Sequence, residues 1–154
     1  MSIAQDEVLP SAVAPVASIA FESFQVHRVQ MRQGSVPFGE NLSYHVEFVP
    51  KGRLSWGQGR FELELLVIVK TVNAKHIDAE IDVKSYFTFD SQLPVQQLNM
   101  LFKHNTLGLT FPYVRSYLSA LTALSGLTTV TLPTFNLTSL ADTLARNIVE
   151  VEVL

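Results

Sequence analysis

Histidines and carboxylates are the side chains in this 154-residue sequence that could carry acid–base or metal chemistry. The four histidines are His27, His45, His76 and His104. They have neither the spacing of a metal-binding motif nor a carboxylate partner in register. Asp90 is the best isolated candidate for a general base, although an aspartate that simply ends a strand is much commoner. Since the sequence also has no cysteine, it gives little support to an enzyme and implies no cofactor and no metal.

Four acidic residues alternate with apolar residues along two predicted strands. They are Glu62, Glu64, Glu80 and Asp82. On neighbouring strands they would form a carboxylate cluster on one face of a sheet. An open, solvated face lacks the desolvation that tunes a pKa, so we expect an acidic surface there rather than an active site.

A long stretch of the sequence is almost free of charge. Arg115 is the only charged residue between Lys103 and Asp142, so this stretch must form part of the framework that positions any site. A stretch of this kind is normally buried, in its own core or against a partner. Apolar residues at helical spacing predict a helix from about Phe111 to Ser125. Pro112 fits the first turn of that helix, and Gly126 fits its end in a left-handed conformation.

The face of this helix opposite its apolar stripe carries Arg115 and three small hydroxylic residues, which are Ser116, Ser119 and Thr122. Small residues let another backbone approach closely, and hydroxyls can hydrogen-bond across an interface. The pattern favours a helix that packs between its own sheet and a second subunit. An ordinary helix with a modestly polar outer face fits the same residues equally well.

The connection that follows the helix alternates apolar and hydroxylic residues where a loop normally carries charge. Its apolar members are Leu127, Val130, Leu132, Pro133 and Phe135. It either folds over the core as a buried connector or lines a groove. A groove of this composition would suit an extended, apolar polypeptide.

The rest of the chain predicts four strands followed by helices. Alternation indicates strands near residues 24–32, 42–48, 61–69 and 77–90, with a bulge near His27 because the apolar face changes there. Residues 49–59, which include Trp56, are predicted to be a connection, and residues 73–75 a hairpin turn. Helices are predicted near 94–103 and 138–147, and the alternating segment 148–154 either joins a sheet edge or ends the last helix. The expected fold is an α+β domain with a four-stranded antiparallel sheet and C-terminal helices packed on one face.

The sequence predicts one domain that follows an N-terminal arm, and its charge excludes some functions. Residues 24–154 are predicted to form a single domain and residues 1–23 a flexible or extended arm, because Asp6 and Glu7 stand where a signal peptide has basic residues. Pro112, Gly126 and Pro133 interrupt the uncharged stretch, which argues against a membrane span. The net charge of −3 argues against nucleic-acid binding. The absence of cysteine fits a cytoplasmic location.

The segments LTFPYVRSYLSALTALSGL and TLPTFNLTSL resemble the SecB protein-export chaperones. The family motif falls on Phe111, Pro112, Tyr113 and Arg115, and FQVHRV is similar to the family's first strand. The resemblance implies a dimer of dimers with the long helices in the middle. It also implies ATP-independent holding of unfolded polypeptides in hydrophobic grooves, with delivery of preproteins to the motor SecA. On this basis the groove would also draw on Leu140 and Leu144 of the last helix.

One departure bears on that function. SecB proteins carry acidic residues for SecA at the end of the first strand, whereas the corresponding stretch MRQGSVPFG has none. This stretch therefore argues against SecA as a partner and fits a dedicated chaperone, for instance for an antitoxin. The alternative is a small-molecule-binding or enzymatic domain on a curved sheet. That alternative predicts a deep closed cavity, and its folds usually place a long helix before the sheet.

Overall fold

A computed structural model of the chain describes residues 19–34, 43–71, 76–126 and 129–154. The strands are β1 (Ile19–Gln33), β2 (Tyr44–Ser55), β3 (Arg60–Thr71), β4 (Ile77–Phe89) and β5 (Ile148–Glu150). The helices are α1 (Val95–Met100), α2 (Thr106–Leu124) and α3 (Thr138–Arg146), with a π-helical segment, Leu101–Asn105, between α1 and α2. The predicted turn at 73–75 and most of the arm lie outside the described residues.

The five strands form one sheet in the order β1-β4-β3-β2-β5. The first four strands pair antiparallel, and the helices follow them in the chain, as predicted. The sheet is mixed rather than purely antiparallel because β5 pairs parallel to β2, from Gly52 opposite Ile148 to Leu54 opposite Glu150. The α+β prediction is confirmed, and the segment 148–154 joins the sheet edge.

Strand β1 is irregular in the way its sequence predicts. It has 15 residues against the 13 of β4, and its register shifts twice, so that Glu22 and His27 are the extra residues. The shift at His27 places Val26 opposite Val83 and Val29 opposite Ile81. Because of the bulge, the apolar residues on both sides of His27 share one face of the sheet.

The predicted connection at 49–59 is wrong. Strand β2 continues to Ser55, and a tight turn from Trp56 to Gly59 leads directly into β3. Gly59 has a φ of 60°, which a residue with a side chain rarely adopts. The Trp56 ring packs edge-on against Phe89 and Phe102, so it covers the rim of the core.

The long helix begins earlier than predicted. The chain is helical without a break from α1 through the π-helical segment to Leu124, so Pro112 lies inside α2 rather than in its first turn. Thr106 and Thr110 face the core there; the Thr106 hydroxyl donates to the Phe102 carbonyl. Pro112 is tolerated on the exposed side, where it only withholds a donor from a solvent-facing carbonyl. Gly126, with a φ of 75°, ends the helix as predicted.

The core lies between the helices and one face of the sheet. Its largest side chains include Phe61, Phe87 and Phe102, and the Phe61 and Phe102 rings stack with centroids 4.8 Å apart. The opposite face was predicted to be solvated and acidic, and for Glu62 this is wrong. The Glu62 side chain is only 5% exposed and lies 3.5 Å from Lys84 Nζ and 3.6 Å from Arg53 Nη1. This carboxylate is buried among basic partners instead of facing solvent.

Candidate functional site

A groove with a volume of about 320 Å³ lies between the start of β2 and the segment 129–137 that joins α2 to α3. Its walls are apolar apart from a few hydroxyl and imidazole groups. The lining residues are Tyr44, His45, Val46, Val130, Thr131, Leu132, Pro133 and Phe135. Four of the predicted client-binding residues therefore meet in one groove, namely Val130, Leu132, Pro133 and Phe135.

Hydrogen bonds from α2 fix the first wall of this groove. Val130 is buried; its N–H donates to Thr122 Oγ1 (2.9 Å), and its carbonyl accepts from Ser119 Oγ (3.0 Å). Thr122 Oγ1 also donates to the Leu118 carbonyl at 2.9 Å. Both polar groups of the Val130 main chain are thus satisfied by the helix, which sets the path of the segment.

This arrangement corrects the predicted outward face of α2. Thr122 is completely buried and Ser119 is half-buried, and both bind the chain's own connecting segment. Ser116, in contrast, is exposed. Of the three hydroxylic residues predicted to contact a second subunit, only Ser116 lies fully on the outer surface.

Aromatic rings support the groove from below. Phe135 packs edge-on against Phe48 of β2 and Phe111 of α2, with ring centroids 5.2 and 5.7 Å apart. Phe111, the first residue of the family motif, therefore braces the groove wall. Leu144 is fully buried in the core and Leu140 packs against it, so neither predicted residue of α3 lines the groove. The remaining predicted residue, Leu127, lies outside the described residues.

The second wall is the edge of β2, which sequence reasoning missed. Tyr44, Val46 and Phe48 are half-buried and face the core side of the sheet. In the part of the chain that the structure describes, no backbone group pairs with this edge before Gly52. The alternation at residues 44–48 identifies a strand, but nothing in it signals that one side of the strand stays open.

The polar residues of the groove remain uncharged or exposed. Burial raises the pKa of the Tyr44 phenol above its usual value, so the phenol is neutral at physiological pH. His45 lies at the rim, exposed, with its Nε2 3.1 Å from Glu47 Oε1. The groove therefore offers apolar surface and hydrogen-bonding groups rather than charge.

The exposed face of α2 is also nearly free of charge. Large apolar side chains stand on it at helical spacing, with Leu109 42%, Tyr113 47% and Leu124 88% exposed. Pro112, Ser116 and Ala120 lie between them, all exposed. Tyr113 stacks on both Phe21 and Phe24 of β1. Arg115 is exposed as well, so the family motif combines one groove support, Phe111, with surface residues of the helix.

The candidates for acid–base or metal chemistry stay apart. Asp90 is exposed, and its Oδ1 accepts the Gln92 N–H at 2.9 Å, which is the bonding of a residue that ends a strand. Across the described ranges, no group of three or more His, Asp or Glu side chains is placed to hold a metal ion. No helix within those ranges is both long and apolar enough to cross a membrane.

The antiparallel four-stranded sheet, the long helix across it and the groove beside β2 together define a SecB-like fold, in agreement with the resemblance seen in the sequence. The structure is similar to that of the Mycobacterium tuberculosis SecB-like chaperone Rv1957, solved in complex with a ChAD peptide from the HigA1 antitoxin. The TM-score is 0.65, the sequence identity is 19%, and the match covers 78% of this chain and 89% of that chain. No protein-family model and no curated protein matches the sequence.

Proposed function

We propose that this protein is an ATP-independent chaperone that holds extended, unfolded polypeptide in the groove between β2 and the segment 129–137. The observation that carries the proposal is the open edge of β2 beside an apolar wall. An extended chain laid there gains main-chain hydrogen bonds from the strand and apolar contacts from Val130, Leu132 and Phe135. Binding of this kind needs no catalytic group.

The comparison with known structures supports a polypeptide as the client. The similar mycobacterial protein is a SecB-like chaperone seen with a peptide from an antitoxin. We extend to this chain the role of a dedicated chaperone of the antitoxin type. Delivery to SecA is not part of this proposal, because the stretch MRQGSVPFG has no acid and Glu80 on the outer sheet face is paired with Arg28 at 3.3 Å.

Aggregation of an unfolded client protein tests the function. The purified chaperone should suppress light scattering at a near-stoichiometric ratio and without ATP. Pro133→Glu should abolish most of this suppression, because Pro133 is exposed and lines the groove. Thr134→Glu is the matched control, since Thr134 is also exposed but is not among the lining residues. Equal activity of both variants, or none in the well-folded wild-type protein, would refute the proposal.

We further propose that the exposed face of α2 joins subunits into a homotetramer, a dimer of dimers with the long helices at its centre. The uncharged surface formed by Leu109, Tyr113, Ser116, Ala120 and Leu124 supports this proposal, because exposed apolar residues along one helix face normally mark an interface. Ser116→Arg should lower the mass measured by light scattering. Gln96→Arg, on an exposed position of α1, should leave the mass unchanged. If the wild-type protein is a monomer, the tetramer proposal is wrong, and the proposal of client binding in the groove is unaffected.

A further inference from the structure

The open edge of β2 ends abruptly at Pro50. Gly52 N–H donates to the Asn147 carbonyl at 3.1 Å, and the Leu54 carbonyl accepts from Val151 N–H at 2.8 Å. Residues 52 and 54 therefore direct their main-chain groups towards β5. Because this direction alternates along a strand, residues 44, 46, 48 and 50 point to the same edge. Those residues are the ones that an added strand would meet.

Pro50 cannot continue such a ladder. Its nitrogen carries no hydrogen, so it offers no donor. Its carbonyl already accepts one hydrogen bond, from Asn147 Nδ2 at 3.3 Å, so it is less available to an added strand. Among the described residues, the edge before Pro50 consequently offers Tyr44, Val46 and Phe48, with three N–H groups and three carbonyls. At about 3.4 Å per residue, five residues of a bound strand span about 17 Å.

Beyond Pro50, the last segment of the chain already fills the edge. β5 pairs with residues 52–54, and the residues that follow β5 make further hydrogen bonds to the β2–β3 hairpin. The buried Ser55 hydroxyl donates to the Glu152 carbonyl at 2.7 Å, and Leu154 N–H donates to Gln58 Oε1 at 2.9 Å. On the outside of this segment, Glu150 and Glu152 are exposed, and charges on an edge strand discourage further pairing.

We propose that Pro50, Asn147 and β5 together form a stop at the end of the client-binding edge. The stop rests on the function proposed above and adds a substrate class to it. A client binds through one short extended segment of about five residues, with apolar side chains at alternate positions facing the groove. A segment that extends past Phe48 gains nothing further from this edge.

A series of peptides tests the stop. Peptides of five, seven, nine and eleven residues, with alternating Leu and Ser, are titrated against the full-length protein. Affinity should reach its plateau at about five residues and change less than about twofold beyond, because each further hydrogen bond would otherwise add about fivefold. In amide exchange, a bound peptide should protect Tyr44, Val46 and Phe48 and leave the Val151 amide protected as before.

One substitution probes the stop directly. Asn147→Ala frees the Pro50 carbonyl while the main-chain bond from Gly52 remains, so the seven-residue peptide should gain up to about fivefold in affinity and the five-residue peptide nothing. Arg146→Ala is the control, since Arg146 is exposed and, among the described residues, its side chain donates to Thr143 within α3.

The outcomes separate the stop from the function itself. Affinity that keeps rising to eleven residues, or loss of protection at Val151, would mean that the client displaces β5, and the stop would be refuted while client binding stands. Binding without protection of the β2 amides would refute strand addition and the stop together. Failure of every peptide to bind would overturn the proposed function and the stop with it.

Discussion

Replacement of Thr122 by valine tests whether one hydroxyl positions the groove wall. Valine fills nearly the same volume, so the change creates no cavity and removes only hydrogen bonds. Val130 N–H loses its acceptor in a site where both residues are buried. A buried donor without a partner costs about 1–3 kcal/mol. The lost bond to the Leu118 carbonyl adds little, because that carbonyl belongs to a helix ladder.

The expected result is a fall of about 1–3 kcal/mol in the free energy of unfolding, with the denaturant slope unchanged. At about 2–4 °C per kcal/mol for a chain of this size, the melting temperature should drop by about 2–12 °C. The more specific readout is the Val130 amide, which should exchange with solvent about 5- to 150-fold faster. Client binding should weaken in parallel, because Val130 and its neighbours form one side of the groove.

Thr122→Ser is the matched control. It keeps the hydroxyl and removes one buried methyl group, at a cost of about 1 kcal/mol. Exchange of the Val130 amide should then stay close to that of the wild-type protein even though stability falls. If Thr122→Val leaves Val130 exchange unchanged, or if the serine variant speeds it equally, the hydroxyl does not hold the segment.

Three further predictions concern the sheet. Gly59→Ala should cost about 1–2 kcal/mol in a denaturant titration, because the residue has a positive φ and an added Cβ would lie 2.8 Å from a backbone oxygen. Gly52→Ala should cost about 1–3 kcal/mol by the same measurement, since its Cβ would lie 2.8 Å from the buried Phe61 ring; a neutral result would mean that this ring can move. Burial, then the nearby Glu62 carboxylate, raises the pKa of Tyr86 above 10. The stability that comes from this pKa shift is therefore fully present below pH 10 and is lost as the pH rises through the higher pKa of the folded state. In melting experiments at a series of pH values, Tyr86→Phe should flatten the fall in melting temperature.

The four long strands and the helical region could be predicted because their apolar periods are clear. The end of β2 could not, because Pro50, Gly52 and two further glycines look like a loop. In the structure Pro50 occupies an edge that needs no donor there, and Gly52 makes room for Phe61 and Ile148. Glycine and proline mark turns in a sequence, but close packing and a strand edge require the same residues.

The start of the long helix and its outward face were misread for a different reason. Thr106, Thr110 and Thr122 are buried, and each hydroxyl has a partner within the chain. A hydrophobic pattern counts threonine as polar and therefore assigns it to the surface. Thr106 and Thr122 donate to carbonyls one helical turn earlier, whereas the partner of Thr110, Ser85 Oγ, lies far away in the chain and leaves no local signal.

One wall of the candidate groove was foreseen because uncharged loops are unusual, and Val130, Leu132, Pro133 and Phe135 do line it. The other wall comes from β2, more than eighty residues earlier in the chain. Its contribution depends on which strand lies at the edge and how far β5 covers it. These are properties of topology, and the local sequence does not encode them.

The extra residue in β1 has a consequence for how the length of this strand can vary. If His27 is removed, Val26 and Val29 still face the core side, because Arg28 then takes the single position between them. Removal of a residue away from a bulge, such as Gln25, instead turns every preceding or following side chain to the opposite face. Single-residue gaps that separate this chain from its relatives should therefore fall at His27 or at the first bulge, Glu22. The bulges are the places where the strand tolerates a change of length.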